Sequence, residues 1–389
     1  YLRIHTLGFA ALLVALAVIH CAPTEAQADR RRRWTTYGSD RGRLVVACDM
    51  RSDTCSDGRK ITTVRASPVP CEVSPGVWEM VPENTGCYSV RGLESWEANT
   101  SYLAYGAELD HPAWSRHSGI SVAARDGVWE IMRNRVSVGG VYQDLLDLSP
   151  VEPEAWTASC VMKAGTSSAA RLVAQRGAGW PRIQLTENWD TYSVTNTVQP
   201  GQLPGLVVGP DEDQKSILVA GCWLTRTSTP GRACWGGEAP VTCAADRHTI
   251  STEGWPTEAG EVSFIYTPGT IDDESKYFVS AMTYTSVGWE VYVRFGSPLA
   301  FMSHASGSSQ IVESDPLTWE TRPYHIRVRW RTGEVVFWRD GVEVGRGSLN
   351  LVPAGPLPST ARIGRRESSG GLNGSIRSLT VRSYEEVSP

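Results

Sequence analysis

Short runs in which apolar or aromatic residues alternate with polar ones recur along this chain, cut by Gly and Pro. From residue 128 onward they are dense: 129–133 (WEIMR), 141–145 (VYQDL), 156–163 (WTASCVMK), 191–198 (TYSVTNTV) and 216–223 (SILVAGCW). Alternation over so few residues marks half-buried strands, and their regular spacing between turn residues predicts an antiparallel sandwich. A Gly/Pro/Cys segment then leads to a second series: 261–266 (EVSFIY), 276–282 (KYFVSAM), 289–295 (WEVYVRF) and 324–330 (YHIRVRW). In 330–344 (WRTGEVVFWRDGVEV) tight turns are predicted at Thr332-Gly333 and Asp340-Gly341, where Gly supplies the positive φ. Arg327, Arg329 and Arg331 alternate with Ile326, Val328 and Trp330, which puts one face in water and one in a core. No amphipathic helix stands out after the leader.

The start of the chain has a different character. Arg3 and His5 precede an apolar run, 7–19 (LGFAALLVALAVI), that is short for a bilayer span, and Ala26-Gln27-Ala28 has the form of a cleavage site. A signal peptide over 1–28 is expected, with the mature chain beginning near Asp29. A lipid anchor on Cys21 is the alternative, which His20 before it suits poorly. No later segment is apolar enough to cross a membrane.

Export changes how the cysteines read. Nine cysteines less Cys21 leave eight: Cys48, Cys55, Cys71, Cys87, Cys160, Cys222, Cys234 and Cys243. An even set in an exported protein implies disulfides. Cys234 and Cys243 flank a Gly-Gly turn and are expected to pair; proximity suggests Cys48 with Cys55 and Cys71 with Cys87. The absence of any C-x-x-C weakens a zinc reading. The stretch 29–101, with one clear strand at 43–48 (RLVVAC), is expected to form a small, irregular, disulfide-stapled region.

Composition narrows the function. At roughly 150 residues per domain, the 389 residues suggest two main domains, and 41% hydrophobic content can build a core in each. A net charge of −5, spread along the chain, leaves no basic footprint for nucleic acid. The 15 tryptophans could fill sandwich cores or stack on sugars.

The order of several short motifs resembles a group of phage and prophage tail-fibre-like proteins. The motifs are Gly92-Leu93-Glu94 before Glu97-Ala98-Asn99, Trp114, 156–163, the Trp189 strand, 219–223 (VAGCW) and 241–246 (VTCAAD). The second half adds 338–342 (WRDGV), 361–364 (ARIG) and 372–377 (LNGSIR), so the resemblance spans about 65–385. It implies a carbohydrate-binding-module-like jelly roll followed by a concanavalin A/laminin G-like sandwich. The expected organisation is then all-β: two tandem antiparallel β-sandwiches, the jelly roll over 102–225 and the concanavalin-like sandwich over 261–385, joined by a linker over 226–260. The resemblance also implies that the strands carrying Cys160 and Cys222 lie side by side and are bridged. A signal peptide and cysteine pairs are foreign to a virion part assembled in the cytoplasm, and they point to an exported bacterial relative. Tail-fibre relatives make a homo-oligomer an expectation.

Concanavalin-like sandwiches host both lectins and glycosidases, so the site must decide. Glycosidases of this fold carry Glu-x-Asp-x-x-Glu or Glu-x-Asp-x-Glu on one strand, and neither occurs; Glu290 and Glu334 stand alone. No cofactor is expected beyond a candidate structural calcium at Asp272, Asp273 and Glu274, for which a solvated turn is the plainer reading. Asp211-Glu212-Asp213 reads the same way. Gly165-Thr166-Ser167-Ser168 only half matches a nucleophile elbow. His111, His117, His248, His304 and His325 lack zinc spacing; His325 reads as a packed or edge residue. Trp180, in a Gly-rich loop, Trp289 and Trp319 are the candidate sugar platforms. Trp156, Trp189, Trp223, Trp330 and Trp338 are expected in the core. The leading expectation is a secreted, non-catalytic protein that binds a polysaccharide or cell-surface glycan. A glycoside hydrolase or lyase, and a structural fibre-like or protein-binding module, are the alternatives.

Overall fold

A computed structural model describes residues 42–384, except 75–76, 90, 97, 136–138, 176, 178, 236, 239, 270–273, 283–286, 306, 354 and 367–370. The expected signal peptide, Cys21 and the expected cleavage site lie outside the described residues. Among the described residues there are strands and turns but no helix, and so none long and apolar enough to cross a membrane.

Two antiparallel β-sandwiches account for most of the strands. In the first, one five-stranded sheet runs Asp190–Val198, Glu154–Ala164, Ser216–Thr225, Val128–Arg133, Ile120–Arg125. The facing sheet runs Arg182–Gln184, Ala169–Gln175, Pro204–Pro210, Val141–Asp144, Ser115–Arg116. Alternate residues from both, including Ile131, Trp156, Leu172 and Leu206, close the core between them. Cys160 and Cys222 are directly opposite on neighbouring strands and are bridged.

The second sandwich pairs an eight-stranded with a seven-stranded sheet. Its core is aromatic: Phe264, Phe278, Trp289, Phe301 and Trp330 are all buried. The turn at Asp340-Gly341 has positive φ at both residues, and Gly333 also has positive φ. These turns set the register in which Arg331 faces Glu334 and Arg339 faces Val342. Along Tyr324–Arg331 burial alternates residue by residue. Trp338, expected in the core, instead lies half-buried on the wet face, where the guanidinium groups of Arg327 and Arg329 cover it at 3.8 and 5.4 Å.

Two expected boundaries need correction. The described part of the stretch 29–101 is not a separate irregular region: Arg43–Cys48 and Gly92–Ser95 both pair with Gly374–Ser383 in the eight-stranded sheet. Thr62–Val64 joins the edge of the seven-stranded sheet. The stretch 226–260 is more than a linker, because Arg247–Ser251 is a strand of that same sheet. The driving force is burial, since Val46, Leu93 and Ile250 are each about 1% exposed in the second core. The strand at 43–48 is legible in the sequence, but the shorter strands carry too few alternations to announce themselves.

Two small ribbons complete the fold, Val69–Ser74 with Val77–Val81, and Asn99–Ser101 with Val241–Cys243. Their core contains the bridges Cys71–Cys87 and Cys234–Cys243, while Cys48–Cys55 sits in the second sandwich. Bonds of this kind persist in oxidising compartments.

Candidate functional site

The first ribbon and the two sandwiches line a cleft of about 550 Å³. The first ribbon contributes Glu72 and Trp78, and the strand and turn after it contribute Arg91, Glu94 and Trp96. The first sandwich contributes Trp189, Asp190 and Trp223, and the second sandwich contributes Gly269 and Arg377. Trp96 and Trp189 are half-buried, with Lys163 Nζ 5.0 Å from the Trp189 ring centre. Trp189, expected in the core, therefore lies on an outer face. A Cβ on Gly269 would collide with the Trp96 ring, so this glycine lets the indole approach the backbone closely. Trp78 packs on Trp235 at 5.4 Å between ring centres, and Trp235 on Trp223 at 5.9 Å.

The polar groups between these rings alternate in sign. Arg91 Nη2 is 3.7 Å from Asp190 Oδ1 and 4.0 Å from Glu72 Oε2. Trp96 Nε1 donates to Glu94 Oε2 at 3.2 Å. Behind the cleft lies a fully buried carboxylate, Asp246. Arg65 Nη1 donates to its Oδ1 at 2.8 Å, and Arg232 Nη1 to its Oδ2 at 2.9 Å. The Trp96 backbone N–H donates to the same Oδ2 at 3.1 Å, and the Asp246 N–H donates back to the Trp96 carbonyl. Asp246 thereby pins the loop that carries the Trp96 indole. Burial pushes its carboxyl up, but the guanidinium groups of Arg232 and Arg65 outweigh that and hold it below the ordinary carboxylate range.

His248 is buried beside this cluster, with Nδ1 2.9 Å from Thr63 Oγ1 and Nε2 2.9 Å from the Glu94 carbonyl. Burial holds its pKa below the ordinary value, against the pull of Asp246. Burial also lowers His325. The sign follows from linkage. Below an unfolded pKa of about 6.5 the unfolded chain binds protons that the folded imidazoles refuse, so stability falls as the pH drops. The melting temperature is expected to decline between about pH 7 and about pH 5, and His248→Gln to flatten that decline. A wild-type melting temperature that held steady or rose over this window would contradict the assignment.

The other sequence-derived candidates fare differently. Trp289 is 0% exposed and stacks on Trp255 at 5.7 Å, with its indole N–H donating to the Pro256 carbonyl. Trp319 is 8% exposed, packs edge-on against Tyr324 and donates to the Ser297 carbonyl. Neither can present a face to a sugar, so both are core residues, not platforms. Trp180 remains half-buried: its carbonyl accepts from Arg171 Nη1 at 2.7 Å, and its ring meets the edge of His117 at 5.6 Å. Trp156, Trp223 and Trp330 are buried as expected.

Asp272 and Asp273 lie outside the described residues, and Glu274 is ion-paired with Lys276 at 3.6 Å. The acidic run at 211–213 is spent on cations: Arg171 and Arg182 hold Asp211, Lys215 holds Glu212, and Arg133 holds Asp213. Among the described residues no group of three His, Cys, Asp or Glu side chains could hold a metal ion. Glu290, alone in the sequence, is buried and accepts from Ser280 Oγ at 2.6 Å, with Arg366 Nε at 3.4 Å.

No family model and no curated protein matches the chain. Solved structures similar to part of it include the receptor binding domain of a botulinum neurotoxin C/D mosaic serotype, at 12% identity over 36% of this chain and 38% of that one, TM-score 0.29. The binding domain of botulinum neurotoxin DC in complex with SialylT matches at 10% identity over 36% and 37%, TM-score 0.29. A heptameric SAP-like pentraxin from Limulus polyphemus matches at 15% identity over 35% of this chain and 69% of that one, TM-score 0.26. The chain spans under two fifths of the length of the neurotoxin domains it matches.

Proposed function

We propose that this is a non-catalytic, extracellular glycan-binding protein, and that it takes its saccharide in the cleft between the two sandwiches. The observation that carries the reading is the pair of half-buried indoles, Trp96 and Trp189, lining one cleft with carboxylates and a guanidinium between them. Indole faces pack against the C–H faces of a pyranose, and the interleaved charged groups suit its hydroxyls. The cleft volume of about 550 Å³ falls within the roughly 300–1,000 Å³ usual for small-molecule sites. Glu72 and Asp190 share one guanidinium, and Glu94 holds an indole N–H. That arrangement suits binding better than hydrolysis, which needs one carboxyl kept protonated opposite another. The disulfides fit an exported protein, and the motif order resembling tail-fibre modules fits a role in surface attachment.

Single sugar sites of this kind bind in the micromolar to millimolar range, roughly −8 to −4 kcal/mol, and several copies would raise the avidity. A glycan array followed by isothermal calorimetry tests the reading. Trp96→Ala and Trp189→Ala are each expected to weaken binding about tenfold or more, near 1.4 kcal/mol. Trp180→Ala should leave binding unchanged if the cleft is the site; loss confined to that variant moves the site to the jelly roll's other sheet. No glycan bound by folded wild-type protein rejects the reading. Turnover of a glycan, abolished by changing one carboxylate, replaces it with an enzyme.

A further inference from the structure

We infer that the saccharide this cleft takes is acidic, carrying a carboxylate or sulfate that Arg232 and Arg377 select. The inference rests on the cleft being a glycan site. Its ground is the kind of polar atom left unpaired there. Arg232 Nε and Nη2, Arg377 Nε, and the indole nitrogens of Trp78 and Trp223 are buried and have no hydrogen-bond partner among the described residues. All of them are donors. The carboxylates of the same cleft are engaged, Glu72 and Asp190 by Arg91 and Glu94 by Trp96.

Charge balance points the same way. Arg65 and Arg232 are two buried cations around one buried carboxylate, Asp246, with side chains 0–2% exposed. Arg65 spends its remaining donors on the Ser67, Val81 and Pro82 carbonyls. Arg232 has only its bond to Asp246 and lines the cleft wall. His248, held neutral by burial, adds no compensating charge and needs none. The buried cluster is therefore one positive charge in excess, and the excess guanidinium faces the cleft. A buried charged donor left unmet is destabilising, and an anionic oxygen satisfies it better than a hydroxyl because the hydrogen bond is charge-assisted. Arg377 reaches the cleft from Gly374–Ser383 and is only half-buried, which gives a ligand a first point of contact.

Matched saccharide pairs that differ only in charge test this by calorimetry on the full chain. The probes are tetragalacturonate against its methyl ester, a sulfated galactan tetrasaccharide against its desulfated form, and sialyllactose against lactose. The expected result is a preference for the acidic member of at least one pair by about tenfold or more, weakened by added salt. Which pair responds separates carboxylate from sulfate. Arg232 is buried against Asp246 and its loss could unfold the chain, so the test falls on Arg377. Arg377→Gln should remove most of the preference, read as the ratio of the two members' affinities, and Arg377→Lys should restore part of it. Equal binding of both members overturns the acidic inference and leaves the glycan cleft standing. A preference that survives Arg377→Gln in a folded variant overturns its assignment to this cleft. No binding of any pair by folded protein overturns both readings.

Discussion

Asp246→Ala is expected to destabilise the protein by about 3–5 kcal/mol, because it strands two buried guanidinium groups. That is a large share of the roughly 5–15 kcal/mol that holds most domains together. The substitution also removes the acceptor for the Trp96 backbone N–H, so any molecules that stay folded should lose their grip on a saccharide. Asp246→Asn keeps an acceptor oxygen but not the charge, and should fall between the two. Acid should imitate the lesion. The folded carboxyl is held below its unfolded value of about 3.9, so its contribution is complete above that pH and is lost as the pH falls through the lower folded value. Denaturant melts of the wild type and both variants decide the matter. An alanine variant within about 1 kcal/mol of wild type would show that the Arg65–Asp246–Arg232 cluster does not hold the fold together.

Trp289→Ala should cost about as much, 3–5 kcal/mol, for a different reason. Its ring packs between Trp255 and Trp330, with centroids 5.7 and 4.7 Å away, and Phe301 lies beyond at 6.4 Å. Removing it opens a cavity that three rigid rings cannot collapse to fill, and leaves the Pro256 carbonyl without its donor. The variant should be less stable yet bind any glycan normally per folded molecule. Trp189→Ala should behave in the opposite way, close to wild type in stability and weak in binding. A Trp289→Ala protein that melts like wild type but has lost its saccharide would return Trp289 to the role of a sugar platform. Denaturation and calorimetry on the same preparations separate the two outcomes.

Local pattern was enough for much of this protein. Alternation along 324–331 determined which residues face inward, because side chains on a strand point to opposite faces with period two. Asp340 and Gly341 determined a hairpin turn, because few residue pairs accept positive φ in succession. The eight cysteines after Cys21 suggested disulfides, and close spacing selected three of the four pairs. Whether a given tryptophan is buried was beyond local pattern. The same aromatic residue suits a strand's inner face, or its outer face when Arg327 or Lys163 covers the ring. Trp289 and Trp319 adjoin loop signals yet close a core, while Trp189 and Trp338 have strand contexts yet face outward. The cleft itself was decided wholly by tertiary structure. Its walls come from segments near 72–96, 189–193, 230–233, 265–269 and 377, and the buried acid that aligns them lies in a Gly/Pro/Cys stretch that reads as a linker. Pairing between strands hundreds of residues apart is set by which apolar faces must leave water together, and no short window of sequence contains that information.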